Sequence, residues 1–458
     1  MSNKMPMIKF KGSPGIATLA ACLCLAADAN ARPAPNNISA VNTANTTAQF
    51  GSPLPGLNAT ELAAFTTGQT QFQKFDNVPV DGLGPIFNAQ ACVACHSQPN
   101  TSATPKIIPP TSTDVTTAVV SGITPGGASA ITEMRAGKFN ADGSFNPLAN
   151  EDGTLFHVSS ITPMSQETVP QDATIRAHRK ATPLFGLGLM EAIPDAEIQA
   201  NVHTTPVDGV RGRAAVLSDA VTQTIAATNP AGARNFVGRF GWKAQESTVL
   251  AFSGDAYLNE MGITNRFFTT DLAPYGNQAA LLAAEPAGIT PTTLQDTPTN
   301  PALPEGPNNK DDIARFTDFM EFLAPPPTVP LTEQAEQGKQ LFTQINCVAC
   351  HKPTMTTGPS AVSTALSFKP VNLFSDLLLH KMGSLSDGIA QAAAGTNEMR
   401  TAPLWGLRGR APFLHDGRAS TIMEAILLHA GEALTIRNRF AALSSAQQQA
   451  IIAFLNSI

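Results

Sequence analysis

Apolar positions recur with helical spacing in only a few bounded stretches of this chain, and polar segments rich in turn-forming residues separate them. Asp311 to Leu323 and Ser444 to Leu455 each predict an amphipathic helix that ends in Phe-Leu. Two further helical patterns start at a threonine in the N-cap position, Thr60 and Thr332. Each carries a glycine followed four residues later by phenylalanine: Gly68 with Phe72, and Gly338 with Phe342. Another short helix is predicted over Ile422 to Leu428. Few runs alternate with period two, so the pattern predicts a mainly α chain.

These elements form a repeat. Each threonine-initiated helix is followed by one pentapeptide, Cys92-Val93-Ala94-Cys95-His96 in the first copy and Cys347-Val348-Ala349-Cys350-His351 in the second. Further on, Arg179 to Leu187 (RKATPLFGL) echoes Arg400 to Leu407 (RTAPLWGL), and each copy closes with a Phe-Leu helix. Pro325-Pro326-Pro327 and Pro330 make a stiff connector through which no helix continues. That puts one domain at residues 50–325 and a second at 331–458. The first is enlarged: its extra residues, 100–130 above all, are rich in Thr, Pro, Gly and Ser and predict surface loop. A second expansion, 205–305, mixes helical and loop-like stretches.

Composition narrows the classes. The chain has 458 residues, 43% hydrophobic and 14% charged, enough for more than one core and too apolar for disorder throughout. With 29 Lys+Arg against 35 Asp+Glu and no basic cluster, it lacks the footprint of a nucleic-acid binder. Residues 1–31 read as an export signal: Lys4, Lys9 and Lys11 precede an apolar stretch from Ile16 to Ala27, and Ala29-Asn30-Ala31 has the small-x-small form of a cleavage site. Cleavage there implies a periplasmic protein, and the loss of three lysines and Asp28 takes the net charge from −6 to −8. The rival is a lipoprotein box over Leu19 to Cys22 with Cys22 as the lipid anchor, against which the apolar run continues through Leu25. No segment has the roughly 18 consecutive apolar residues of a membrane span. Of six cysteines, four remain after cleavage, all in the pentapeptides.

In an exported chain Cys-x-x-Cys-His is the attachment signature of c-type haem, in which two thioethers fix the vinyl edge and the histidine ligates iron. Two covalent haems are therefore expected, one on Cys92, Cys95 and His96 and one on Cys347, Cys350 and His351, in two cytochrome c-like domains. A zinc site would need the two Cys pairs to converge across 251 intervening residues and leaves the histidines unexplained. Disulfides fit no better, and a thioredoxin-like dithiol wants a βαβ context that the pattern lacks. The sixth position on each iron decides between electron transfer and chemistry. The remaining histidines are His157, His178, His203, His380, His415 and His429, and a lone histidine is more often a satisfied core or surface residue than a ligand. His429 stands apart, because it sits at the end of a predicted helix whose apolar residues would face a haem.

Arg400 to Leu414 (RTAPLWGLRGRAPFL), continuing as His415-Asp416-Gly417-Arg418, resembles the C-terminal half of the bacterial dihaem cytochrome c peroxidase and MauG superfamily. Phe185 to Pro194 (FGLGLMEAIP), Gly238 to Ala244 (GRFGWKA), Met261 to Thr264 (MGIT) and His429 to Ala433 (HAGEA) resemble more closely the dihaem oxidoreductase family of peroxidase-like proteins, also labelled thiol oxidoreductase-like. The likeness spans roughly residues 50–458. In the superfamily's peroxidases the sixth ligand of the C-terminal haem falls fourteen residues after the histidine of the His-x-Gly element, which implies His429 here, with Met399 as the fallback. The peroxidases carry Met there and MauG carries Tyr. A His/His iron is usually lower in potential, so this departure weakens transfer of the peroxidases' electron-input role.

Other roles follow from the resemblance or stay open beside it. His415 is expected to hydrogen-bond near a propionate. For the N-terminal haem Lys243, Met190, Met261, His157 and His178 all remain candidate ligands; the plainer readings are a propionate partner for Lys243 and core packing for Met190. Trp242 or Trp405 can sit between the haems as an electron relay or simply pack. Arg179 and Arg400, equivalent in the repeat, are candidates for propionate pairing, because a guanidinium fork matches a carboxylate. His380-Lys381-Met382-Gly383 resembles a His-Asp-Met-Gly element of the family, but Lys381 replaces the acid and receives no role. A calcium ion between the domains, as in the peroxidases, would use backbone oxygens near Thr401 and Pro403.

The expectation is a periplasmic dihaem c-type oxidoreductase with peroxidase-like chemistry. Its C-terminal haem exchanges electrons with a small redox protein, a cytochrome c or a cupredoxin, and its N-terminal haem reduces a small oxidant such as peroxide, with Lys243 and Trp242 the candidate catalytic residues. The alternative is a pure electron carrier with both irons six-coordinate. Thiol chemistry meets a specific difficulty, since thioethers would consume both Cys pairs.

Overall fold

The computed structural model describes residues 49–97, 125–128, 132–148, 155–161, 166–228, 236–272 and 310–458. The export segment, Cys22 and most of the 100–130 expansion lie outside the described residues. Among the described ones, no helix is long and apolar enough to cross a membrane. Six helices position the sites: α1 (Ala59–Phe72), α2 (Val249–Met261), α3 (Asp312–Glu321), α4 (Glu333–Gln344), α5 (Ile422–Leu427) and α6 (Ser445–Leu455).

The repeated Gly and Phe positions have the same job in both copies. α1 packs on α3 and α4 packs on α6. A Cβ on Gly68 would lie 2.3 Å from the Arg315 carbonyl oxygen, and one on Gly338 would lie 1.8 Å from that of Ala450. The opening and closing helices therefore meet backbone to backbone, an approach open only to a residue without Cβ. One turn later the phenylalanine bridges the closing helix and the pentapeptide histidine. Phe72 has ring-centre distances of 4.9 Å to Phe319 and 6.1 Å to His96, and Phe342 has 5.5 Å to Phe454 and 6.4 Å to His351.

Helix ends follow the expected chemistry with one correction. Thr332, Asp311 and Ser444 cap α4, α3 and α6 with side-chain oxygens. The cap of α1 is Asn58 rather than Thr60: Asn58 Oδ1 accepts from the N–H groups of Thr60 and Glu61, and Glu61 accepts from the N–H of Asn58 at 2.7 Å. This reciprocal box satisfies more of the helix's orphan donors than Thr60 could from within the first turn.

The extra length of the first half is not all loop. Strand β1 (Thr132–Phe139) pairs antiparallel with β2 (Phe145–Asn146), β3 (Leu155–Phe156) and, over six residues, β4 (Ile175–Lys180). The period-two signal fails because Glu133, Arg135 and Arg179, which a half-buried strand would make apolar, line a cavity. A shorter ladder joins β5 (Leu379–Lys381) and β6 (Glu398–Arg400) in the second half.

The described residues form one compact unit. One apolar core joins Leu184, Met190 and Ile193 of the first half to Met355, Leu377 and Trp405 of the second. The proline connector is packed as well, since the Ala324 N–H donates to the Ser52 carbonyl and Arg408 donates to that of Pro327. The halves read from the sequence are thus lobes of a single body.

Two candidate haem cavities

Cys347, Cys350 and His351 line a cavity of about 1500 Å³, counted out to its mouth. The turn Cys347–Ala349 brings them together, with the N–H of His351 bonding back to the Cys347 carbonyl at 3.0 Å. The Nδ1 of His351 donates to the Phe374 carbonyl at 3.0 Å, and the Nδ1 of His429 donates to that of Ala425 at 2.8 Å. A carbonyl only accepts, so each Nε2 keeps its lone pair, the tautomer an iron ligand needs. Burial pushes His351 down to about 4 and lowers His429, which keeps both rings neutral near pH 7. Their centres are 6.4 Å apart. Two metal–imidazole bonds of about 2 Å, each with about 1 Å from nitrogen to ring centre, call for ~6 Å. His351 and His429 are the residues that would hold one iron between them.

Four cations line the same cavity, and among the described residues none has a carboxylate in an ion pair: Lys180, Arg400, Arg410 and Arg437. Lys180 donates to the carbonyls of Arg410 at 3.1 Å and Pro412 at 2.5 Å, Arg400 to those of Gly241 at 2.7 Å and Thr401 at 3.0 Å, and Arg410 to that of Pro403 at 2.8 Å. Burial pushes Arg400 and Arg410 down to about 10. Buried cations without a counter-charge are costly, so this wall fits an anionic group, and a haem brings two propionates.

The second cavity, about 1130 Å³ on the same count, is lined by Cys92, Cys95 and His96. His96 repeats the ligand tautomer, its Nδ1 bonded to the Gly127 carbonyl at 3.3 Å and its pKa pushed by burial to about 4. Here no second histidine lines the cavity, and carboxyl groups do. Glu133 pairs with Arg135 at 2.6 Å, while Glu260 hydrogen-bonds to Glu133 and accepts from Asn88 at 2.8 Å. Burial, reinforced by the charge of Glu133, raises Glu260 to about 8. Burial also works on Glu133, but Arg135 outweighs it and holds that carboxyl below its ordinary range. At neutral pH one carboxyl keeps its proton and its neighbour does not.

Trp242, Lys180 and Ala181 line both cavities. The Trp242 indole N–H donates to the Lys180 carbonyl at 2.6 Å, and its ring centre is 6.2 Å from that of His415, which lines the C-terminal cavity. Trp405 instead packs into the shared core against Gly186.

Several expected ligands stand elsewhere. Lys243 is fully buried, 2.9 Å from Asp387, bonded to the Glu398 carbonyl at 2.6 Å, and it lines neither cavity. Its ammonium is spent on structure, as neither iron ligand nor propionate partner. Arg179 does line the N-terminal cavity, but Asp387 neutralises it at 2.6 Å. His157 uses both ring nitrogens, on Glu167 at 2.7 Å and the Asn259 carbonyl at 2.8 Å; His178 is exposed on β4, and Met190 lies in the core. Met261 lines the N-terminal cavity and Met399 the C-terminal one.

His380 groups with Cys350 and Asp376, yet its nitrogens already bond Asp376 and Glu432, each at 2.9 Å. The carbonyls named for a calcium ion, near Thr401 and Pro403, are engaged by side chains. The Thr401 carbonyl accepts from Ser375 at 2.6 Å and from Arg400, and that of Pro403 from Arg410 at 2.8 Å. Burial also pushes all four thiols up, Cys95 and Cys347 to about 12, the reverse of a reactive dithiol.

Glu133, Glu260, Lys180 and Arg410 escaped the sequence reading. A signal existed for the first: Glu133-Met134-Arg135 repeats as Glu398-Met399-Arg400, each on a strand beside a cavity.

Two cavities of this make in one chain define a dihaem protein. The chain belongs to the family described as "Di-haem oxidoreductase, putative peroxidase", which matches residues 30–165 and 155–458, so haem is its cofactor. A MauG-like protein associated with microbial copper homeostasis aligns at 14% identity over 88% of this chain and 92% of its own, with a TM-score of 0.36. The diheme peroxidase BthA from Burkholderia thailandensis aligns at 14% identity over 68% and 91%, with a TM-score of 0.27. Hydrazine synthase from Kuenenia stuttgartiensis aligns at 18% identity over 32% of this chain and 55% of its own, with a TM-score of 0.24. Among curated proteins none matches.

Proposed function

We propose that the protein reduces a small peroxide-class oxidant at its N-terminal haem with electrons that enter through its C-terminal haem. Thioethers to Cys92 and Cys95, and to Cys347 and Cys350, hold the two groups covalently. The observation that carries the reading is the asymmetry of the cavities: His351 and His429 fit both faces of one iron, while the cavity of His96 offers a carboxyl pair. Haem iron supplies an oxidant-binding position and redox equivalents when bound.

The chain's own residues manage the protons. Reduction of hydrogen peroxide to two waters consumes two electrons and two protons. The Glu133 carboxylate is suited to take the proton of an arriving hydroperoxide, and the Glu260 carboxyl is suited to give one to the departing oxygen. Arg135 keeps Glu133 charged, and Asn88 orients Glu260. Trp242, shared by both cavities, is the relay between them. A small redox protein of the periplasm, a cytochrome c or a cupredoxin, supplies the electrons. Absorption and EPR spectra of the holoprotein, with and without peroxide, test the proposal. A high-spin ferric component that responds to peroxide supports it; two low-spin signals indifferent to peroxide and cyanide would return the chain to a pure electron carrier.

A further inference from the structure

Strand β4 ends at Lys180, in the partition between the cavities. The residue is 5% exposed. Its backbone is fixed on both sides, the N–H donating to the His415 carbonyl at 2.6 Å and the carbonyl accepting the Trp242 indole N–H at 2.6 Å. An ammonium has three N–H donors, and two are spent on the Arg410 and Pro412 carbonyls.

The charged groups around it leave it without an anion. Arg179, next on its own strand, and Lys243 share Asp387. On β1, Glu133 is held by Arg135. In the loop after β6, Asp416 is taken by Arg418 and lies 3.9 Å from His415, which burial keeps neutral by pushing it to about 4. Arg400, Arg410 and Arg437 add three more cations to the lining of the C-terminal cavity. Burial, with the repulsion of Arg410, lowers Lys180 to about 8.

We infer that Lys180 is a proton-linked charge that sets the potential of the C-terminal haem and couples its reduction to proton uptake at Nζ. The inference rests on the two-haem reading above. An ammonium beside the cavity favours the reduced, less positive iron, and losing that proton favours the ferric state. Were a haem held here, its reduction would favour uptake of a proton from solvent at Nζ. A propionate beside the amine would push its pKa back up, so the charge is lost above about pH 8.

Spectroelectrochemical titration of the holoprotein from about pH 6 to about pH 10 tests this. In the unaltered protein the midpoint of the C-terminal haem is expected to fall as pH rises above about 8. In Lys180→Arg the midpoint stays high and the slope disappears, because a guanidinium does not titrate in this range. In Lys180→Met it is low at every pH, again without slope. A wild-type slope persisting in either variant overturns the inference, and Lys180→Arg serves if Lys180→Met fails to load haem. These potentials do not depend on peroxide, so a chain that proved a pure electron carrier would still show the slope.

Discussion

Around His351 the chain supplies a second imidazole and a wall of cations that its own acids leave unneutralised; around His96 it supplies carboxyls, and the two arginines there are already paired. The scaffold beneath is the same in both, down to the glycine at the helix crossing and the phenylalanine against the ligand histidine. The two cavities therefore differ in what lines them beyond the pentapeptide histidine. A closed His/His site changes little between oxidation states, which suits electron passage. A cavity lined by one protonated and one ionised carboxyl suits a reaction that moves protons.

Removing the second imidazole tests the comparison most severely. His429→Ala is expected to convert the C-terminal haem from low to high spin, read by EPR and absorption, with the N-terminal signals unchanged. An unchanged low-spin spectrum would move the ligand role to Met399, which lines the same cavity.

The next effect belongs to the other cavity. Glu260→Gln keeps the shape but removes the proton donor, and peroxide turnover is expected to fall by ~10²–10⁴-fold, the usual contribution of a general acid or base. Its pKa is raised, so the active, protonated form prevails below about 8, and wild-type turnover falls as pH rises through that value. That limb should be absent from the residual rate of the Gln variant. A pH profile identical in both would take Glu260 out of the reaction.

These two tests also mark how far the sequence was legible. The pentapeptides and closing helices are local patterns, and His429 is reachable because a fixed spacing from His415 carries it. Glu260 and Glu133 meet across an α-helix and a strand whose pairing no local period announces. Lys243 misled for the same reason. Its motif is local, but its partner Asp387 lies in the loop between β5 and β6, and that ion pair turns the ammonium away from both cavities. The strands were hidden because the face toward the cavity is charged rather than apolar.

Smaller in scale is a pair of substitutions that should affect the lobes alike. Gly338→Ala and Gly68→Ala each force a methyl into a backbone carbonyl, at 1.8 Å and 2.3 Å, and overpacking of this kind costs about 1–3 kcal/mol. Thermal unfolding followed at the haem bands is expected to show the larger loss for Gly338→Ala. Loss in one lobe only would mean that the scaffold is not shared as the geometry indicates.

The smallest effect separates two threonine-initiated patterns that look alike in the sequence. In the second lobe Thr332 caps its helix, and in the first that task has passed to Asn58, leaving Thr60 inside the first turn. Asn58→Ala removes acceptors from two backbone N–H groups and breaks the box with Glu61, for which about 0.5–2 kcal/mol is expected. Thr60→Ala should cost little, since its side chain caps nothing and alanine is the better helix former. Denaturant unfolding of the two variants decides the matter: equal losses would restore Thr60 as a cap and make the opening helices of the two lobes alike.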